Sequence, residues 1–533
     1  MSTREILTLQ FGHYSNHIGT HFWNIQELGF DYTGTEKSEC NNDVLYREGR
    51  NTKGEVTYTP RLLISDLKGS LRSLPADGGL PDEDIQEDFK WNAIEKIQEP
   101  VAEKNEYLVD IDTKPLNEIV SKQYQLEDKI NTWTDYLYPR LHSRTINTVT
   151  EYQGSNESFD IFHSGQSLWK KDYGESFSDK IRNYVEECDS MQGFHVNFDC
   201  IDGFAGLALG CIEHLSDEYS KSILAHPTIP SYFPDNNPST DEEKEISIGK
   251  DTERLVNIAF SLSELSQLAT LFVPLCTGSK GWRKLGKALL FDHLNYKPEL
   301  YYHSSSILAS ALDTLSYKYR LKSNIYTLSD ACADMSGYGR KMAAASLRLP
   351  FAIPEDQYIN EFLELNEKSL YTSITPNCEI APDKIFQLIT IRGIEEYLMK
   401  KDERNPKYSN IKEMFELYFQ ANHFLSATNV TICEKPLQVK PPYPNIFSEK
   451  LNKNGFVTNE SSGTKVESCA LMAGYHNGNF LSNTIENLRK EVGRIKFNKL
   501  HKFSGEGCEM EEFKERLETL AEFQNNYEEC LEL

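Results

Sequence analysis

The chain has 533 residues, 39% of them apolar and 26% charged, the balance of a water-soluble globular protein of roughly two to four domains. Its formal charge of −25, from 56 basic against 81 acidic residues, argues against nucleic acid as a partner and against binding anionic lipid by charge alone. The eleven cysteines include no CxxC pair and read as reduced cytosolic thiols; the start carries a strand pattern where a signal or transit segment would stand, and no apolar run approaches a membrane span, Leu265 to Cys276 being the nearest.

The first stretch, Arg4 to Trp23, reads as a strand, a glycine turn and the opening of a helix. Ile6, Thr8 and Gln10 alternate with Leu7, Leu9 and Phe11, and Gly12 ends the run. Ser15 or Asn16 is the expected cap, and Ile18, Phe22 and Ile25 share one helix face. A strand feeding a helix through glycine leaves N–H groups and a positive dipole end, a seat for an anion. A second strand, Leu62 to Ile64, ends at Asp66, a carboxylate placed to hold a magnesium-bound water beside a phosphate. From about 70 to 152 the chain reads as an insertion: an acidic, turn-rich stretch, then a helix from Leu116 to Pro139 with Trp133 on its apolar face, either packed as core or offered to a partner.

Ser164 to Tyr219 reads as a glycine loop, then a helix with Ile181, Tyr184, Val185 and Cys188 on one face. A strand follows with Phe194, Val196, Phe198 and Cys200 pointing one way, and after it DGFAGLALGCIEHL opens a further helix. Ser231 to Lys250 reads as a loop, Leu255 to Leu275 as helical, and Ser304 to Leu315 as a helix. Beyond Pro354 the pattern is mixed α/β, with a strand at Val466 to Met472. The last section is helical, with a basic patch at Arg489 to Lys502 and an acidic end, either solvated faces or a partner contact. His13, His17 and His21 stand four apart, but no acid or cysteine completes a zinc set, so they are expected to line a polar site and no metal is expected. No GxSxG elbow, no GxxxxGK[ST] loop and no catalytic triad is legible.

The order of these residues closely resembles the Misato family, relatives of tubulin and FtsZ. GHYSNHIGTHFW is similar to the first nucleotide loop of tubulins, G-Q-C-G-N-Q-I-G with a following Phe-Trp, matched by Gly12, Asn16, Ile18, Gly19, Phe22 and Trp23. YTPRLLISDLKGS is similar to P-R-A-I-L-V-D-L-E-P-G-T, with Lys68 in place of the second acid. SGQSLWKKDYGESFSDKIRNYVEECDSMQGF is similar to the run from G-N-N-W-A-K-G-H-Y to C-D-C-L-Q-G-F. Of the phosphate-cradling G-G-G-T-G-S-G that follows in tubulins, Gly203 and Gly206 remain, with Asp202 and Phe204 intruding. Asn257 falls where tubulins read the guanine edge, although a helix N-cap fits it as well, and Tyr302 falls near the second base contact. MSGYGRKMAAASLRLPFAI is similar to the N-x-D turn and helix that present an acid across a polymer interface, with Tyr338 and Lys341 at the acidic positions.

The resemblance implies an α/β fold: a tubulin/FtsZ-like nucleotide-binding domain with a parallel sheet over residues 1–340, a second α/β domain over 341–475, and a C-terminal helical segment over 476–533. It places a nucleotide site at Gly12, His13, Asn16, Asp66, Gly203, Gly206 and Asn257, with GTP or GDP as the ligand and no catalytic residue. Any remaining nucleotide binding is expected on the first loop. The family implies a non-enzymatic cytosolic factor in mitochondrial distribution and morphology and in spindle or chromosome behaviour, peripheral on the outer mitochondrial membrane, with tubulin or tubulin-folding chaperones as partners. The competing classes are an active, polymerising GTPase and a tubulin-chaperone adaptor.

Overall fold

The computed structural model describes residues 4–30, 38–50, 56–72, 74, 79–80, 103–152, 158–236, 239–280, 282–284, 286–323, 325–365, 370–400 and 408–528. The acidic stretch expected at the start of the insertion lies largely outside the described residues.

The first sheet is parallel throughout. Its strands are β1 (Ile6–Phe11), β2 (Leu62–Leu67), β3 (Ile146–Val149), β4 (Gly193–Asp199), β5 (Ser222–Ile229), β6 (Leu271–Phe272) and β7 (Leu275–Cys276), in the order β6-β5-β4-β1-β2-β3 with β7 also on β5. Every residue of β1 is buried, because helices cover both faces of a parallel sheet. Leu7, Leu9 and Phe11 enter one core; Ile6 enters the other, beneath α1 (His13–Leu28).

The insertion is more integral than its sequence indicates, since it delivers β3 to the sheet edge, beside Ile64 to Leu67 of β2. After α2 (Glu106–Thr113), the expected single helix over Leu116 to Pro139 is replaced by α3 (Leu116–Ser121) and a separate 3-10 turn, Trp133–Tyr136. Lys122 leaves the helix with extended backbone, and the Thr132–Asp135 capping box starts a new turn. Ile119, Trp133 and Leu137 are buried here by an irregular chain, while Leu116 is exposed.

The glycine loop expected at Ser164 is also helical. It is part of α4 (Phe162–Trp169), followed by α5 (Asp172–Glu186) and, after β4, α6 (Gly203–Glu218). Then α7 (Asp241–Leu268) starts within the expected loop, because Thr240 and Glu243 form a capping box.

The buried helix α8 (Tyr301–Tyr317) separates the first sheet from the second. Its small polar residues satisfy themselves along the helix: Ser306, Ser310 and Thr314 donate to carbonyls one turn back at 2.7–3.0 Å. Asp313 then joins the two halves. Arg320 Nη2 reaches its Oδ1 at 2.6 Å, and Arg392 reaches its Oδ2 from the second sheet.

The turn and helix expected within Met335 to Ile353 are displaced. The helix is α9 (Leu328–Met335), started earlier by the Thr327–Asp330 capping box, and the following residues make a tight turn and β8 (Ala344–Arg348). The second sheet adds β9 (Thr372–Ser373), β10 (Ile385–Arg392), β11 (Ala427–Cys433) and β12 (Leu471–Gly478) in the order β9-β8-β12-β10-β11; only β10 and β11 run parallel. Helices α10 (Ile359–Leu365) and α11 (Ile411–Asn422) bring Ile359, Phe362, Phe415 and Phe419 to a core with this sheet. At the C-terminal end, α12 (Leu481–Gly493), α13 (His501–Gly505) and α14 (Met510–Asn525) return to the first domain, where Arg516 pairs with Glu264 of α7 at 2.7 Å.

Candidate functional site: the nucleotide-loop region

Gly12, His13, Asn16 and Asp66 meet where β1 and β2 end and α1 begins. Gly12 is the first cap of α1, at φ 101°, a conformation only glycine adopts without strain. Neither Ser15 nor Asn16 acts as the cap. Ser15 bonds back to Phe11 O, and Asn16 donates to Asp66 Oδ2 at 3.1 Å.

The donors at the start of α1 belong to Asp199, at the end of β4. The N–H of Tyr14 lies 2.8 Å from its Oδ2, the N–H of Ser15 lies 2.7 Å from its Oδ1, and Thr228 Oγ1 donates to it at 2.9 Å. A methyl group at Gly12 would lie 2.6 Å from Asp199 Oδ2, so loop and carboxyl are already in contact distance. Burial pushes the Asp199 carboxyl up to about 7, against the pull of Tyr14 N–H, Thr228 and Ser15 N–H; ionised or protonated, its oxygens accept these donors.

Asp66 is equally engaged. Trp133 of the insertion donates its indole N–H to Oδ2 at 2.7 Å, while Leu67 N–H and Ser70 Oγ reach Oδ1 at 2.8 and 3.0 Å. Burial alone would raise this carboxyl, but the His13 contact at 3.6 Å and the surrounding donors outweigh burial and hold it below its usual range. His17 and His21 are buried, and burial keeps both neutral. His17 Nδ1 meets Tyr136 Oη at 2.8 Å, and His21 stacks on the Tyr302 ring. Tyr302 is therefore committed to the interior, its hydroxyl donating to Pro442 O, and is not free to stack on a base.

Gly203 and Gly206 are used for packing. A Cβ at Gly206 would lie 1.8 Å from Phe162 O, and one at Gly165 would lie 1.8 Å from Gly203 O; the three glycines let α4 and α6 touch backbone to backbone. Gly203 N–H is taken by Phe159 O at 2.9 Å, and the Phe159 and Phe204 rings pack edge to face over the loop at 5.0 Å. Asp202 caps α6 through Phe204 N–H at 2.9 Å. Asn257 lies in the middle of α7, so it is no N-cap. It receives Phe162 N–H at 2.9 Å and donates to Asp160 O and Ile201 O at 2.8 and 2.7 Å, which ties α4 to the end of β4.

Sequence reasoning missed Asp199, because the strand was read by its apolar face, and it missed the reach of Trp133 back to Asp66. Asp330 is an exposed acid in the first turn of α9, where its carboxylate accepts Thr327 N–H and Oγ1 at 2.7 Å. Among the described residues His163, Cys508 and Glu512 bring ligand atoms within 4.8 Å of one another, but the Glu512 carboxylate is occupied by His163 at 3.1 Å and Arg516 at 2.9 Å.

The description "Misato Segment II tubulin-like domain" matches residues 4–113, and "Tubulin domain" matches residues 123–321. Protein misato of Drosophila melanogaster is 35% identical to the chain, with 98% of each covered. The chain belongs to the Misato family. Protein misato homolog 1 of Danio rerio is 31% identical over 86% of this chain and 85% of its own length; that of Homo sapiens is 29% identical with 98% of each covered. The chain thus carries a tubulin-like domain, a class that in general binds GTP. In this Misato-family chain, the N–H groups of Tyr14 and Ser15 on the first loop are held by Asp199, and on the second loop the Gly203 N–H is bonded to Phe159 O, with the Phe159 ring against Gly203. No helix among the described residues is long and apolar enough to cross a membrane.

Proposed function

We propose that this protein is a non-enzymatic, tubulin-shaped factor that acts in mitochondrial distribution and morphology and in spindle or chromosome behaviour. It works through its surfaces, in the cytosol and peripherally on the outer mitochondrial membrane, with tubulin or tubulin-folding chaperones as the partners. The family membership supports the cellular role. The observation that carries the non-enzymatic part is the second glycine loop, whose Gly203 N–H is bonded to Phe159 O and whose remaining glycines serve the α4–α6 contact. A phosphate cradle needs such N–H groups free and converging.

The test is GTP turnover by the full chain with magnesium, beside a heat-killed control. The reading predicts equal rates and, in light scattering, no assembly beyond small oligomers. Turnover that Asp66→Ala abolishes would overturn it.

A second reading, an active polymerising GTPase, would need an exposed acid on the helix that follows α8; Asp330 is exposed there, with its carboxylate bonded to Thr327 N–H and Oγ1 at 2.7 Å as the cap of α9. Concentration-dependent turnover lost in Asp330→Ala would establish this reading in place of the first.

A further inference from the structure

We propose that Asp199 is a built-in ligand of the tubulin-like phosphate seat: β4 supplies, from within the chain, the acceptor for the first turn of α1, and the domain is thereby completed without nucleotide. This deepens the non-enzymatic reading, on which it rests.

A helix start leaves backbone donors that need acceptors. The first N–H groups of α1 have no partner within the helix, and Gly12 offers no side chain to cap them. An acceptor must come from elsewhere, and at such a position a phosphate and a carboxyl group compete for the same donors. Asp199 is positioned by a parallel ladder: Phe198 pairs with Phe11, so the next residue of β4 projects at the level of Gly12. Its two oxygens divide the two N–H groups between them, one at 2.8 Å to Tyr14 and one at 2.7 Å to Ser15, while Thr228 of β5 holds it from behind. The Gly12 backbone closes over it too tightly even for a methyl group.

The surroundings are arranged to the same end. Asp66, the acid that would hold a metal-bound water, is bonded by Trp133, Asn16, Leu67 and Ser70. Tyr136, from the same 3-10 turn as Trp133, bonds His17 one helical turn along α1. Asp202 caps α6. A phosphate entering here would face Asp66, Asp199 and Asp202 together, with His13 the cation nearest Asp66. The N–H donors that a phosphate would need are already taken.

Removing the Asp199 carboxyl should therefore uncover an anion site. The probe is inorganic phosphate, compared with chloride at matched ionic strength, and the readout is thermal unfolding of the full chain. Apart from the small, non-saturating rise that phosphate gives folded proteins in general, the parent is expected to melt at the same temperature in both salts. Asp199→Gly should melt several degrees lower in chloride and recover part of that loss in phosphate, with a saturable dependence on its concentration. Asp199→Asn, which keeps an acceptor and fills the space, should melt below the parent and ignore phosphate. Saturable stabilisation of the parent by phosphate would overturn the proposal, as would a folded Asp199→Gly that melts like the parent or gains no more from phosphate than the parent does. If Asp199→Gly does not fold, Asp199→Asn decides: melting at the parent temperature overturns the proposal. GTP turnover, the test of the preceding reading, plays no part here, so the two fail separately.

Discussion

Asp199 Oδ1 accepts the backbone N–H of Ser15 at 2.7 Å, across 184 residues of sequence, and so fixes the first turn of α1 to the end of β4. The nucleotide-loop region of this tubulin-like domain is an internally bonded core in which each acid has assigned donors. Thr228 is the third of those donors. Thr228→Val keeps its shape and β-branching while removing the hydroxyl, and is expected to cost about 1 kcal/mol in denaturant unfolding, the usual worth of one such bond. No change would show that Thr228 does not support the carboxyl.

Trp133 offers a sharper separation of packing from hydrogen bonding. Trp133→Phe retains a buried ring but withdraws the N–H from Asp66, leaving that carboxyl one donor short. The expected loss is about 1–3 kcal/mol. Trp133→Phe combined with Asp66→Asn should cost less than the sum of the two single changes, because both break one contact.

Gly206→Ala tests whether the second glycine loop packs helices or cradles phosphate. The added methyl would meet Phe162 O at 1.8 Å, so α4 and α6 must separate. The variant should lose about 1–3 kcal/mol without any nucleotide present. A variant as stable as the parent would return these glycines to a ligand role. Asp202→Gly should likewise melt lower, since it removes the α6 cap at about 1 kcal/mol or less, glycine itself being a tolerated cap.

Much of the architecture was legible because it is written in periodicity. The buried run at β1, the face shared by Ile18, Phe22 and Ile25, and the buried strand from Phe194 to Cys200 all stand in the cores that their spacing implies. The site was legible only as a set of loops. Glycine at 203 and 206 looks the same in sequence whether it bares N–H groups to a phosphate or a backbone to a neighbouring helix; Phe162 O, brought there by α4, decides between them. Asn257 was equally ambiguous, because its three partners come from segments 56 to 97 residues away. The helix over Leu116 to Pro139 failed because burial, and not hydrogen bonding, set the spacing of its apolar residues.

The Asp313 triad supplies the pH dependence. Burial would raise this carboxyl, but Arg392 and Arg320 outweigh it and hold it at about 2, below its ordinary 3.8. A lowered acid stabilises the fold above its unfolded value and loses that contribution as pH falls through its folded value. The triad thus supports the two-sheet arrangement above about pH 4, and the support declines toward pH 2, by about 2–3 kcal/mol in all. Asp313→Asn leaves two buried guanidinium groups without a counter-charge and should cost about 3–5 kcal/mol at neutral pH. Its stability should also vary less with pH between 4 and 2 than that of the parent. A parallel pH profile would contradict the assignment.

Whether the chain's own residues complete the tubulin-like nucleotide region can be read from what the native protein carries. Full-length protein, purified without added nucleotide, is denatured and the released small molecules are separated and quantified against an unrelated protein handled identically. The account predicts guanine nucleotide at the background level. Stoichiometric GTP or GDP, released on denaturation and absent from a Gly12→Val variant, would contradict it.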